Sequence, residues 1–145
     1  MIVVLQRVRE ASVSIDDRVV SDIGPGILLL VCAEPEDNDA KIRKMAGKIA
    51  KLRIFSDSDG KMNLSVRDVA GEVLVVSQFT LAADVWSGNR PSFGKTAGPA
   101  EGLALYEAFV DALRAEGVPV KTGQFGAHMQ VSLVNDGPVT IPMSL

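Results

Sequence analysis

Cysteine and histidine are nearly absent: the 145 residues hold one of each, Cys32 and His128. A single cysteine excludes a disulfide framework and any multi-cysteine zinc site. A single histidine excludes His-rich metal sites and leaves one position for a His-based catalytic pair. Aromatic residues are scarce, at 5%. Long apolar runs are missing too. The longest, Ile27–Ala33, is far short of the ~20 residues that span a bilayer. The opening MIVVLQRVRE lacks the basic leader and extended apolar region of a signal peptide. These absences predict a protein of the reducing cytoplasm, with no membrane partner, no cofactor and no required metal. Basic residues are not in excess: 15 Lys and Arg stand against 18 Asp and Glu, for a net charge of −3. That argues against a generally basic nucleic-acid coat and leaves room for a local basic patch.

What is present is 47% hydrophobic residues in a length suited to one domain, residues 1–145. Ile2–Val8 and Ala11–Ile15 read as two strands, followed by Val19–Ile23 and Ile27–Ala33. Asp16-Asp17 and Gly24-Pro25-Gly26 break the chain between them. Such close breaks favour antiparallel neighbours. A helix is predicted from about Asn38 to Arg53, where Ile42, Met45, Ile49 and Leu52 make one apolar stripe and Asp37 or Asn38 caps it. Glu72–Val76 reads as a strand and Ala82–Gly98 as a long irregular stretch. A second helix spans about Pro99–Glu116, with Leu103, Tyr106, Phe109 or Val110, and Leu113 inward. Val118–Thr122, Met129–Val134 and Val139–Pro142 read as closing strands. The expected class is a β-rich α+β domain without βαβ alternation.

The first helix concentrates charge. Ala40–Arg53 holds six basic residues and no acidic one, leaving nine basic residues against all 18 acidic ones elsewhere. Lys41, Lys44, Lys48 and Lys51 recur at helical spacing beside the apolar stripe. Such a face suits a phosphate backbone; a merely solvated helix face has the same pattern.

Two segments stand apart from ordinary strand sequence. Ser77-Gln78-Phe79-Thr80-Leu81 follows an apolar strand and offers two hydroxyls, an amide and backbone N–H groups at one spot. Backbone donors aimed at one point stabilise an oxyanion. Ser77 or Thr80 as a nucleophile needs an activating base, and no Gly-x-Ser-x-Gly elbow surrounds Ser77. The plainer reading is hydroxyls that satisfy a strand end. Asn135–Thr140 (NDGPVT) reads as a Gly-Pro turn, or as a place where missing side chains let backbone approach a ligand. Cys32 reads as a core thiol, and His128 as structural or surface. Asp57 and Asp59, flanking a Gly turn, are weak evidence for calcium.

With SQFTL at 77–81 and NDGPVT at 135–140, the chain resembles the D-aminoacyl-tRNA deacylase family. MIVVLQRV at its start, Arg53–Asp57, Gly60–Asn63, Arg90–Phe93, Leu105-Tyr106 and Thr122–Ala127 carry the likeness along the whole chain. The resemblance implies a mostly antiparallel, barrel-like sheet with two main helices. It implies a homodimeric editing hydrolase acting on D-aminoacyl-tRNA and on glycyl-tRNA mischarged on tRNA-Ala. Ser77, Gln78, Phe79 and Thr80 would line the reacting pocket, with Leu81, Phe125 and Met129 binding substrate. Gly137 and Pro138, joined by a cis bond, would enter the partner's pocket and exclude L side chains. The tRNA 2′-hydroxyl would assist the attacking water, and Lys41, Lys44, Lys48 and Lys51 would meet the tRNA backbone. Gly102 stands where the family pattern leads one to expect alanine. Two alternatives stay open: a sibling deacylase that clears a small L-amino acid, and a non-catalytic nucleic-acid-binding dimer.

Overall fold

The structure, a computed structural model, describes residues 1–145. Eight strands and two helices follow in the order β1 (Ile2–Ile15), β2 (Arg18–Ile23), β3 (Gly26–Cys32), α1 (Asp39–Lys51), β4 (Phe55–Ser56), β5 (Met62–Leu64), β6 (Glu72–Ser77), α2 (Pro99–Ala115), β7 (Val120–Thr122) and β8 (Gln130–Ser144). One six-stranded sheet runs β2-β1-β3-β6-β7, with β8 on the free side of β1; β4 and β5 form a small hairpin. This is the α+β class expected.

The pairing corrects one expectation. β1 is antiparallel to β2, β3 and β8, but β3–β6 and β6–β7 are parallel. The chain therefore does contain crossovers: α1 and the β4–β5 hairpin lie between β3 and β6, and α2 lies between β6 and β7. The signal was in the strands themselves. GILLLVC and EVLVV are nearly continuous apolar runs, buried throughout except for Leu30 and Glu72. Covering on both faces produces such runs, and parallel strands are usually covered on both.

A second correction concerns β1. The two predicted strands are one, because β1 stays paired with β8 across the predicted gap. Its register slips between Gln6 and Val8 and again between Val8 and Glu10. Val3 and Leu5 face one side of the sheet; Val8, by ordinary alternation, faces the other, and Ala11 and Val13 stay with Val8, so side-chain parity changes once, between Val8 and Ala11. The first group packs under the helices in a 22-residue core. The second packs with Leu28, Leu74 and Val76 on the opposite face of the sheet. The sheet thus curls over itself, which gives the barrel-like form.

Both helices close the first core. Asn38 caps α1, accepting hydrogen bonds from the N–H groups of Ala40 and Lys41 at 3.0 and 3.1 Å. Ile42, Met45, Ala46, Ile49 and Ala50 face inward; Leu52, already extended, lies beyond the helix. In α2 the inward face is Gly102, Tyr106, Phe109, Val110 and Leu113, and Leu103 is exposed, contrary to expectation. Gly26 is required where β3 meets β6: a Cβ there would overlap the Glu72 carbonyl oxygen. No helix is long and apolar enough to cross a membrane.

Candidate active site

β6 ends at Ser77, and the chain turns at once into a 3₁₀ turn over Phe79–Ala82. The Gln78 N–H donates to the Val31 carbonyl at 2.7 Å, which ties this corner to the end of β3. Gln78 provides no side-chain cap to the turn, so its first N–H groups have no helical partner. Beside this corner lies a cavity of about 90 Å³. Ser77, Gln78 and Phe79 line one side, Gly102, Tyr106 and Phe125 another, and Cys32 the floor.

The lining is uncharged. The Tyr106 hydroxyl donates to the Val75 carbonyl at 2.8 Å, and burial pushes its pKa up to about 12. Burial, with Glu34 nearby, also pushes the Cys32 thiol up, away from the reactive thiolate. The Phe125 ring leans on Tyr106 at 5.8 Å between centroids. A Cβ on Gly102 would make ordinary contacts, 3.6 Å from both Phe125 and the Ala97 carbonyl, so glycine here widens the cavity without being forced.

Of the residues singled out in the sequence, Ser77, Gln78, Phe79 and Phe125 meet at this cavity. Thr80 is exposed at its rim, its hydroxyl accepting a hydrogen bond from Gln78 Nε2 at 2.6 Å. Leu81 is half-buried in the 3₁₀ turn, outside the lining. Met129 packs against the second core, with its sulfur beside Gly123. His128 is exposed and does not line the cavity. Asp57 accepts hydrogen bonds from the N–H groups of Asp59 and Lys61 and from Asn63, so its carboxylate serves the hairpin turn.

Gly137 and Pro138 lie elsewhere. They were expected in a turn between strands, but they sit in a protrusion on β8. Asn135 pairs with Val8 and Thr140 with Gln6, leaving residues 136–139 opposite Arg7 alone. The Gly137–Pro138 peptide is cis, and both residues are exposed. They do not line the cavity of their own chain.

Sequence reasoning missed what holds this protrusion. The Arg7 side chain, 11% exposed, donates from Nε to the Asp136 carbonyl at 2.8 Å and pairs with its carboxylate at 3.2 Å. It also donates to the Ile54 carbonyl. Asn135 Nδ2 donates to the carbonyls of Arg7 and Val139 at 2.9 and 3.1 Å. An arginine within an apolar strand was the available signal. Gly137 has no room for a side chain, since a Cβ would overlap the Val139 nitrogen.

On α1, the lysines divide. Lys41 lies 4.0 Å from Asp37 and Lys51 3.8 Å from Glu116, while Lys44 and Lys48 are exposed and form no salt bridge. Together with Arg43 they border a cleft of about 840 Å³ against the chain's last residues, Pro142–Leu145.

A curled mixed sheet with a neutral, mostly apolar pocket edged by Ser77 and Gln78 defines a class whose site brings no strong acid or base of its own. The D-Tyr-tRNA(Tyr) deacylase family model matches residues 4–144. D-aminoacyl-tRNA deacylases of Dinoroseobacter shibae and Alteromonas mediterranea are 60% and 57% identical, covering 96% and 97% of each chain. A solved structure of a c-Myc DNA unwinding element binding protein is 40% identical, covers 100% of this chain and 99% of its own, and superposes with a TM-score of 0.93. A probable eukaryotic D-amino acid tRNA deacylase, 21% identical with coverage of 98% and 97%, shares the fold at a TM-score of 0.80. The chain belongs to the D-Tyr-tRNA(Tyr) deacylase family, whose class is that of hydrolases acting on the aminoacyl-tRNA ester.

Proposed function

We propose that this protein is an editing hydrolase that cleaves D-aminoacyl-tRNA to free D-amino acid and tRNA, acts also on glycyl-tRNA mischarged on tRNA-Ala, and rejects L-aminoacyl-tRNA. The aminoacyl ester enters the cavity at Ser77–Phe79, and the terminal adenosine lies across its mouth, with Thr80 and Leu81 at the rim. The backbone donors of the 3₁₀ turn face the developing oxyanion.

The observation that carries this reading is the neutrality of the pocket. Tyr106, with its pKa near 12, is a poor base at neutral pH, and the Cys32 thiol is held protonated. The water therefore takes its activation from the substrate, through the ribose 2′-hydroxyl. The enzyme supplies orientation and exclusion.

Chirality is read by exclusion at a second chain's protrusion. Gly137 and Pro138 are exposed, anchored by Arg7 and Asn135, and outside the cavity lining of their own chain. In a homodimer, the loop of one protomer enters the pocket of its partner. Met129 serves this site from the core behind Gly123. Lys44 and Lys48, free of carboxylate partners, make the main contacts with the tRNA backbone, with Lys41 and Lys51 at the margins. The reaction belongs to the cytoplasm, where charged tRNA is used.

The test is deacylation of D-tyrosyl-, L-tyrosyl-, glycyl- and L-alanyl-tRNA by metal-free protein. Release of D-tyrosine and glycine with L-tyrosine retained supports the reading. Release of a small L-amino acid in preference would favour the sibling deacylase. The name of the 40%-identical solved structure supports a second reading, a non-catalytic nucleic-acid-binding dimer; absence of release from every substrate would favour it.

A further inference from the structure

We propose that Trp86 is a stacking platform for an unpaired base of the tRNA acceptor end, set beside the pocket that takes the ester. This rests on the reading that the substrate is an aminoacyl-tRNA. Trp86 is the only tryptophan in the chain and is 94% exposed. An indole left in water forgoes a large hydrophobic gain, and indoles commonly realise it at an interface.

The ring is carried on a fixed turn. The Asp84 carboxylate accepts hydrogen bonds from the N–H groups of Trp86 and Ser87 at 2.9 and 3.3 Å, and from the Ser87 hydroxyl at 2.6 Å. The same donors hold the Asp84 carboxyl below the usual carboxylate range, so the turn persists at neutral pH. Asp84 and Ser92 exchange backbone hydrogen bonds at 2.8 and 3.0 Å, closing the loop at its base.

This loop is joined to the pocket at two points. Phe93, next to Ser92, packs edge-on against Phe79 at 5.1 Å between centroids. The Ala97 N–H donates to the Ala33 carbonyl at 3.1 Å, and Ala97 lines the cavity. Phe79, Phe93 and Trp86 are all exposed. The loop's cations, Arg90 and Lys95, are exposed and lack salt-bridge partners, while its one carboxylate is occupied within the turn.

Aromatic faces beside cations are the means by which proteins hold single-stranded nucleic acid, and stacking tolerates any base. Double-stranded RNA offers no free base face. An unpaired 3′ end, common to all tRNAs, does. With the ester in the cavity and the terminal adenosine across its mouth, the preceding bases lie over Phe79 and Phe93 and reach Trp86.

As the sole tryptophan, Trp86 reports its own contact. Wild-type protein is titrated with an uncharged acceptor-stem hairpin carrying a four-nucleotide 3′ overhang, and with the same hairpin blunt-ended. Quenching by the first and not the second is expected. In parallel, Trp86→Ala should raise KM for D-tyrosyl-tRNA at least about fivefold with kcat little changed, and Trp86→Phe should recover most of that loss. Equal quenching by both hairpins, or an unchanged KM in Trp86→Ala, overturns the proposal. So does a dimer that dissociates in Trp86→Ala while RNA leaves the fluorescence unaltered, since the ring would then serve a contact between copies. Wild-type protein that quenches with the overhang but releases no D-tyrosine would overturn the deacylase reading and leave the stacking site standing.

Discussion

The corner at Ser77–Ala82 and the protrusion at Asp136–Val139 are built in opposite ways. The corner is a recess: its groups are ordinary, its charges absent, and its shape comes from parallel strands ending together under α2. The protrusion is an outward projection, four residues wide, with no cavity of its own and a guanidinium pinning its base. On the proposed reading, the recess receives the ester and the protrusion excludes L side chains. A site that selects by exclusion needs a rigid obstacle more than it needs a reactive one, and the hydrogen bonds are distributed accordingly. Arg7 donates to Asp136 and is itself anchored on the Ile54 carbonyl, and Asn135 donates to the Arg7 and Val139 carbonyls, whereas Thr80 at the recess is held by one neighbouring amide.

Changes to the obstacle should therefore weigh most. Gly137→Ala puts a Cβ against the Val139 nitrogen, so the protrusion must move. A displacement near 1 Å is expected to cost about 100-fold in D-tyrosyl-tRNA deacylation, read by steady-state kinetics with circular dichroism confirming the fold. Arg7→Ala removes the pin and leaves the Asp136 and Ile54 carbonyls without their donor. Its stability should fall by about 1–3 kcal/mol in denaturant titration, and its D-over-L ratio should fall with it. Unchanged discrimination would mean that rigidity of the protrusion is immaterial.

The recess should prove robust by comparison. Tyr106 is neutral in both states below its unfolded pKa of about 10. As pH rises further, the unfolded chain ionises first, while the folded hydroxyl holds its proton to about 12. Its contribution is thus complete below pH 10 and is lost from there to about pH 12, up to about 3 kcal/mol. Tyr106→Phe should flatten that alkaline slope in melts, at a cost of about 1 kcal/mol at pH 7 from the lost bond to Val75. Thr80→Ala should lower kcat less than about tenfold if the tRNA hydroxyl performs the chemistry. Complete loss with binding intact would make Thr80 a nucleophile. The smallest effect belongs to α1: Lys44→Glu with Lys48→Glu should weaken tRNA binding and reduce the salt slope by about 0.9 for each phosphate no longer neutralised. An unchanged slope would leave this a solvated face.

Local features were legible in the sequence where one element explains them. Asn38 as cap, the Ile42–Met45–Ile49 stripe and Pro99 at the start of α2 are set by their own neighbours. Strand pairing was harder, because parallel order depends on crossovers that no single segment displays. The apolar runs of β3 and β6 hinted at it. The break read between Val8 and Ala11 was a change of side-chain parity within one strand, and a register slip imitates a strand end in sequence. SQFTL and NDGPVT nominated the two segments of the proposed site by resemblance alone. Their separation within one chain was invisible, as was Arg7, whose partners lie 47 and 129 residues away.

That separation is the claim most worth testing, by complementation between two inactive chains. Gly102→Leu puts a good helix former in α2 and directs its side chain into the cavity; Gly137→Ala spoils only the protrusion. Mixed in equal amounts after dissociation and reassembly, half the dimers are heterodimers, each with one intact pocket facing one intact protrusion. The account predicts that D-tyrosyl-tRNA deacylation returns to about a quarter of the wild-type level. Activity no greater than that of the separate variants would contradict it, and would place recess and protrusion in the service of different functions.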